Sequence, residues 1–509
     1  MKKLLFVLTL MLMTLTAVAN EIVLIDGIYY ILQPKGKIAI MTRNPSDYIL
    51  TPDGLLDANR LTYVGDVIIP ETVIQDNVEY IVTSIGQDAF RNCQDMTSVV
   101  IPNTVTSIGF RAFYWCHSLV FVVFPDALLS IGDHAFDGCF KLTEAAIPNS
   151  VVSIGESAFS SCKSLKSLTI PSGVNTIADF CFGGLESMTS LVIPNTVTVI
   201  GKRAFAACTS LTSLSLPSSL TTLGEGALAG CTGLTSIDIP ISVNAIGCAA
   251  FDGCNNLTSV HISDLEAWFK ISFEYDISDE LDFEVSTNPL YYAKHLFLNG
   301  EEITELSIPD GVTSIGKIAF LGWKSMVSVN IPNSVTTIGT GAFYECDGLT
   351  SVTIPNSVKS IGCEAFMNCD ALETVTIGNG VETITDRAFS WCPNLKDVYC
   401  LPKNVPTILK GKPYTPDIFF YSDIESAMLY VPESALEAYK RAWTGFKAYV
   451  PLDETVSIGN DVSQNDEVNK NIFDLQGRRV LQSKMVKKSQ NNSLPKGIYI
   501  QNGKKVVVN

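Results

Sequence analysis

The chain has 509 residues, 47% of them hydrophobic and 17% charged, with 14 cysteines and a formal net charge of -17. So apolar a composition excludes a disordered chain, and the acidic surplus argues against a protein that tracks nucleic-acid phosphates, a task that needs clustered Lys and Arg. The length implies about three or four domains, a prior that fails if the chain is a repeat array.

Residues 1–19 have the three parts of a secretory signal peptide: Lys2 and Lys3, an apolar run from Leu4 to Met13, and the small-x-small site Ala17-Val18-Ala19. The run is shorter than the ~20 residues that span a bilayer. Cleavage after Ala19 removes two lysines and no acid, so the mature charge becomes -17 - 2 = -19. No later stretch is long and apolar enough to cross a membrane, so the mature protein is expected to be soluble or held at a surface.

Residues 20–85 precede a repeat. They contain Asp26-Gly27-Ile28-Tyr29-Tyr30 and Tyr63-Val64-Gly65-Asp66-Val67-Ile68-Ile69-Pro70. A stacked array needs a cap here, because its first rung otherwise exposes an apolar edge.

From residue 86 to 400 the phrase Thr-Ser-Ile-Gly-x-x-Ala-Phe-x-x-Cys recurs. Its Gly place falls at Gly86, Gly109, Gly132, Gly155, Ala178, Gly201, Gly224 and Gly247, then at Gly316, Gly339, Gly362 and Thr385, every step being 23 residues or a multiple of it. In each unit, as in Ser351 to Ile354, alternation with a period of two marks a strand with one buried face. Ala342, Phe343 and Cys346 have the spacing of a short helical turn, and Pro355-Asn356 is turn chemistry. No unit can bury its apolar face alone, so the units must stack. Phe90, Phe113, Phe136, Phe159, Phe182, Phe205, Phe251, Phe320, Phe343, Phe366 and Phe389, with Leu228, then form a core column, each worth about 1.5–3 kcal/mol when buried.

Ten cysteines share one register place: Cys93, Cys116, Cys139, Cys162, Cys208, Cys231, Cys254, Cys346, Cys369 and Cys392. Leu185 and Trp323 occupy the same place, so the position reads as an apolar filler and the cysteines as buried free thiols, although an exported protein permits disulfides. There is no Cys-x-x-Cys, and His117, His134, His261 and His295 are scattered, so no metal site is expected.

The units Ile-Pro-Asn-Ser-Val-Thr-Ser-Ile-Gly-x-x-Ala-Phe-x-x-Cys-x-x-Leu-Thr-Ser-Val resemble the leucine-rich repeats of the BspA-like surface antigen family, over roughly Val67 to Cys400. The resemblance implies a right-handed curved solenoid of parallel strands with short helical turns. It also implies an N-terminal cap over 20–85 and a non-catalytic role in adhesion to host or neighbouring-cell proteins, matrix proteins among them, or to glycans.

Residues 263–302 break the pattern. Register is kept across 69 residues, so two irregular rungs are expected here. The acidic run Glu274, Asp276, Asp279, Glu280, Asp282 and Glu284 lacks the glycine and oxygen spacing of a calcium loop. Trp268, Phe269, Tyr291 and Tyr292 are candidates for a protruding ligand contact, or they pack the irregular rungs. After residue 400, Leu429 to Lys440 reads as a strand and a helix, with Trp443 and Phe446 placed to cover the last rung, a C-terminal cap over 401–452. Residues 453–470 are a polar linker. In 471–509, Ile472-Phe473-Asp474-Leu475-Gln476-Gly477-Arg478-Arg479-Val480 and Leu494-Pro495-Lys496-Gly497-Ile498-Tyr499-Ile500 read as strands of a small β-module. It resembles the C-terminal sorting domain of the Gram-negative type IX secretion system, which implies display on the outer surface; an appended β-domain with no sorting role is the alternative.

No nucleophile elbow, phosphate loop or His-Glu-x-x-His occurs, so no catalytic, cofactor or metal residue is assigned. The strand positions that face solvent are mostly Ser and Thr, as at Ser190, Ser213, Ser236, Ser259, Ser328 and Ser351, with aromatic candidates at Phe121 and Tyr399. This favours a protein-binding adhesin or scaffold. A glycan-binding module and a structural surface component without a specific ligand remain as alternatives.

Overall fold

The computed structural model describes residues 21–43, 63–274, 287–410, 417–452, 472–474, 479–481, 497–501 and 504–508. The expected signal peptide, the acidic run after Glu274 and the linker lie outside the described residues. The chain divides into two compact units, Met1–Leu234 with Ala250–Asn255, and Thr235–Ala249 with Asn256–Asn509.

The first unit opens with β1 (Glu21–Ile25), β2 (Ile28–Gln33) and β3 (Ile38–Thr42), an antiparallel meander. β3 then pairs in parallel with the long strand Val78–Ile85. From there one residue pair per repeat extends the sheet: Ser84 and Ile85 pair with Ser107 and Ile108, which pair with Ser130 and Ile131, and these with Ser153 and Ile154. A second ladder runs through Gly65–Ile68, Met96–Val100 and Phe121–Val123. Partners within the repeat are 23 residues apart, so one sequence period is one rung, about 4.8 Å from the next.

The turn between the two ladders is built from two interleaved sets of backbone bonds. The Arg91 N–H donates to the Asp88 carbonyl (3.1 Å) and Cys93 to Phe90 (3.1 Å), closing the rung on itself. Phe90 donates to Ala112 (2.7 Å) and Asn92 to Tyr114 (2.7 Å), tying the rung to the next. The expected helical turn thus consists of i to i-3 turns joined across rungs. Its geometry places two residues per rung at positive φ, such as Asp88 (56°) and Asn92 (59°). At the Gly place the rungs approach so closely that a Cβ on Gly109 would lie 2.9 Å from the Gly86 carbonyl carbon.

The buried phenylalanines stack face to face. In the first unit, Phe90 and Phe113 are 5.0 Å apart at 7°, and Phe113 and Phe136 4.9 Å apart at 7°. In the second unit, Phe366 and Phe389 are 5.2 Å apart at 1°. Phe90, Phe113, Phe136, Phe159, Phe205, Phe251, Phe343, Phe366 and Phe389 are all buried. All fourteen cysteines are free thiols, and the ten at the shared place are buried.

The second unit carries the ladder Ser236–Asp238, Ser259–Ile262 and Leu296–Leu298. Val260 pairs with Leu296, 36 residues on instead of 23, and Glu301–Ile303 then pairs antiparallel. The segment 263–302 therefore supplies two parallel strands at irregular spacing, Ser272–Phe273 beside Ala245–Ile246 and Leu296–Leu298 beside Ser259–Ile262, followed by a hairpin. Two short helices, Leu265–Phe269 and Leu290–Ala293, take the space that the missing Gly-x-x-Ala-Phe turns would fill. Beyond it a parallel sheet runs from Glu305–Ser307 through Ser328–Asn330, Ser351–Ile354, Thr374–Ile377, Asp397–Cys400 and Met428–Pro432 to Ala448–Leu452. Phe419 extends the ring column 5.8 Å from Phe389, and Trp443 and Phe446 meet it edge-on at 5.6 and 5.3 Å. The buried Tyr439 hydroxyl donates to the Pro402 carbonyl at 2.9 Å. The C-terminal strands Ile472–Asp474, Arg479–Leu481, Gly497–Gln501 and Lys504–Val508 form a four-stranded antiparallel sheet.

Candidate functional site

A strand with a period of two turns alternate side chains outward, so stacking the rungs converts two sequence positions into two exposed columns. In the first unit the register aligns Asp66, Ser98 and Phe121 in one column, and Ile68, Val100 and Val123 in the other. Phe121 is 49% exposed, and Ile68, Val100 and Val123 are also exposed. The Ser98 and Thr97 hydroxyls donate to Asp66 Oδ1 at 2.6 and 2.9 Å and hold its carboxyl below the usual range. This end of the face is apolar with an acidic edge. Further along, Ser190 pairs with Ser213 and Val192 with Ser215, a flatter and more polar stretch.

In the second unit the same columns hold Ser328, Ser351, Thr374 and Asp397, and Thr353, Thr376, Tyr399 and Tyr430. Tyr399 and Tyr430 stack at 4.3 Å and 10°, and the Tyr430 hydroxyl donates to Asp397 Oδ1 at 3.1 Å. Partial burial, with Asp397 beside it, pushes the Tyr430 phenol up to about 12, and burial next to Tyr430 raises Tyr399 as well. Both are neutral hydrogen-bonding rings at physiological pH. Sequence reasoning picked out Tyr399 but not its partner, because Met428–Pro432 reaches the sheet through a connection that breaks the 23-residue period.

The irregular segment presents its aromatics differently from a protruding contact. Trp268 is only 1% exposed and donates through Nε1 to the Ala319 carbonyl at 3.1 Å. Phe269 is half-buried edge-on against Phe320 at 5.3 Å. Tyr291 and Tyr292 are half-buried against each other at 5.2 Å, with the Tyr291 backbone over Gly322. Trp268 and Phe269 fill the space of the missing turn.

The cysteine column has a role beyond filling. Cys116 Sγ donates to the Phe90 carbonyl at 3.0 Å and Cys139 to Phe113 at 3.2 Å, and the bond recurs from Cys208, Cys231, Cys346 and Cys369. Burial pushes the Cys139, Cys346 and Cys369 thiols up, with Cys392 and Cys254 at about 12, which leaves them protonated and unreactive.

A cleft of about 580 Å³ in the second unit is lined by Val381, Leu401, Pro402, Val405, Pro432 and Leu452, and its ionisable side chains are Glu382 and Lys403. Among the described residues no group of three or more His, Cys, Asp or Glu side chains could hold a metal ion, and no helix is long and apolar enough to cross a membrane.

A family model described as a BspA type leucine rich repeat region, with six copies, matches residues 83–189, 175–288 and 291–412. The crystal structure of a leucine-rich repeat protein from Bacteroides ovatus is 26% identical, with 77% of this chain and 100% of that chain covered, at a TM-score of 0.52. A leucine rich cell surface protein from Faecalibacterium prausnitzii is 26% identical over 88% of this chain and 99% of that chain, at a TM-score of 0.39. The pneumococcal vaccine antigen PcpA is 19% identical over 85% of this chain and 98% of that chain, at a TM-score of 0.45. No curated protein matches the chain.

Proposed function

The chain belongs to the BspA-type leucine-rich repeat family, and from that premise we propose that it is a non-catalytic protein-binding scaffold acting as an adhesin on an exported surface. The observation that carries the reading is the outward column pair on the strand ladders: hydroxyls at most rungs, with Phe121 and the stacked Tyr399 and Tyr430 as aromatic anchors. Interface anchors are enriched in Tyr, Phe and Trp, and a backbone tied rung to rung loses little entropy when a partner docks. The partners are proteins of a host or neighbouring cell, matrix proteins among them. Export rests on the signal-like residues 1–19, and retention at the outer surface on the C-terminal sheet. Truncation after Asp453 tests the retention: unchanged surface display rejects the sorting role.

The binding reading is tested with the full chain against purified matrix and cell-surface proteins. Phe121→Ser and Tyr399→Thr install residues that other rungs hold at those places. At least one protein is expected to bind, and the double substitution to weaken it by about tenfold or more. Binding to none of the proteins, or binding that ignores both substitutions, contradicts the reading.

A further inference from the structure

The turn edge of the rungs carries a feature separate from the strand face. Arg-Ala-Phe-x-Trp-Cys occurs twice, at Arg111 to Cys116 and at Arg387 to Cys392, once in each unit. The tryptophan falls where the rung demands positive φ, 62° at Trp115 and 55° at Trp391. Five other rungs use glycine there: Gly138, Gly184, Gly230, Gly253 and Gly322. A bulky residue in the left-handed region is strained, and these two keep 43% and 47% of their surface exposed, Trp115 packing on one side over Gly138 and 5.2 Å from His117. The chain's other tryptophans, Trp268, Trp323 and Trp443, are buried.

Each exposed indole belongs to a ring cluster bearing an arginine. Tyr114 lies beside Trp115 at 5.8 Å and 21°, nearly coplanar in orientation, and the Arg111 guanidinium sits 5.2 Å from the Tyr114 ring and 4.6 Å from Phe110. In the second unit Tyr421, 67% exposed, lies 4.7 Å from Trp391 and 4.2 Å from Phe420, with the Arg387 guanidinium 5.4 Å from the Phe420 ring and 3.8 Å from Glu364.

We propose that these two clusters are glycan-binding platforms, on each of which the tryptophan stacks against a pyranose ring while the neighbouring arginine orients the sugar's oxygens. The C–H bonds of a pyranose face carry partial positive charge and meet the electron-rich face of an indole as a cation does. Guanidinium N–H groups donate to hydroxyl, carboxylate or sulfate oxygens. A flat sugar ring fits an open ring face, whereas a peptide anchor residue is held in a pocket. The cleft beside Pro402 and Pro432 is lined by neither cluster. These platforms lie on the turn edge, so they are independent of the strand-face reading.

The test uses the full chain with a printed panel of neutral, sialylated and sulfated oligosaccharides, followed by acrylamide quenching of tryptophan fluorescence with each sugar that binds. At least one sugar class is expected to bind and to protect the quenchable signal, which belongs to Trp115 and Trp391. Trp115→Gly with Trp391→Gly, which restores the residue other rungs carry, is expected to weaken binding by about tenfold or more. Leu129→Thr, at an exposed place outside both clusters, is expected to leave it unchanged. The class retained decides whether the arginines read hydroxyls or anionic groups. No binding by the unaltered chain, binding without protection from acrylamide, or equal binding by the double glycine variant overturns the proposal.

Discussion

Cys116 Sγ donates a hydrogen bond of 3.0 Å to the carbonyl oxygen of Phe90, one rung back, and that carbonyl also accepts the Cys93 N–H at 3.1 Å. The pair joins the ring column to the backbone of the neighbouring rung, so the cysteine is both filler and donor.

Replacing Cys139 by Ala removes the donor to Phe113 and leaves a small void. Urea unfolding is expected to show a loss of about 1–3 kcal/mol. Equal stability of Cys139→Ala and the unaltered chain would remove the donor role.

The same burial predicts thiol chemistry. In the native state, disulfide reagents at pH 8 are expected to modify at most Cys248, the one half-buried cysteine beside thirteen buried ones, whereas all fourteen react after denaturation without reductant. Fewer than fourteen under those conditions means crosslinks.

Stability should fall in alkali. Cys254, Cys392 and Cys400 titrate near 9.0 when unfolded and at about 12 when folded, so above pH 9 the unfolded chain binds fewer protons than the native one. The contribution is complete below pH 9 and is lost progressively towards pH 12. Urea midpoints measured from pH 7 to 11 check this, a flat profile being the contrary result.

Close rung contact makes Gly380 intolerant of a side chain, because a Cβ there would fall on the Asn356 carbonyl oxygen. Gly380→Ala is expected to cost about 1–3 kcal/mol, seen as a lowered melting temperature.

The five tryptophans should separate into two groups. Trp268→Ala opens a buried cavity and is expected to cost about 3–5 kcal/mol. Trp115→Gly removes an exposed ring from a left-handed position and is expected to change stability by about 0.5 kcal/mol or less. Equal losses from the two would contradict their opposite burial.

The rung length, the Phe column and the exposed hydroxyls were legible because each depends on a spacing within one 23-residue period. The thiol bond was not, since Cys116 and Phe90 lie 26 residues apart, in adjacent rungs. Trp268 reads as a candidate contact because its segment departs from the repeat, yet that departure is why it is buried: with no Phe-containing turn there, another ring must fill the space. Trp115 sits inside a regular unit and escapes notice until the glycines at the same place reveal an outward, left-handed position.

Hydroxyl-radical footprinting of the full chain, free and bound to a captured matrix or cell-surface protein, tests the strand-face account most directly. The account predicts that Phe121 or the Tyr399 and Tyr430 pair loses reactivity in the complex while Trp115 and Trp391 keep theirs. Unchanged reactivity at Phe121, Tyr399 and Tyr430 in a stable complex would contradict it.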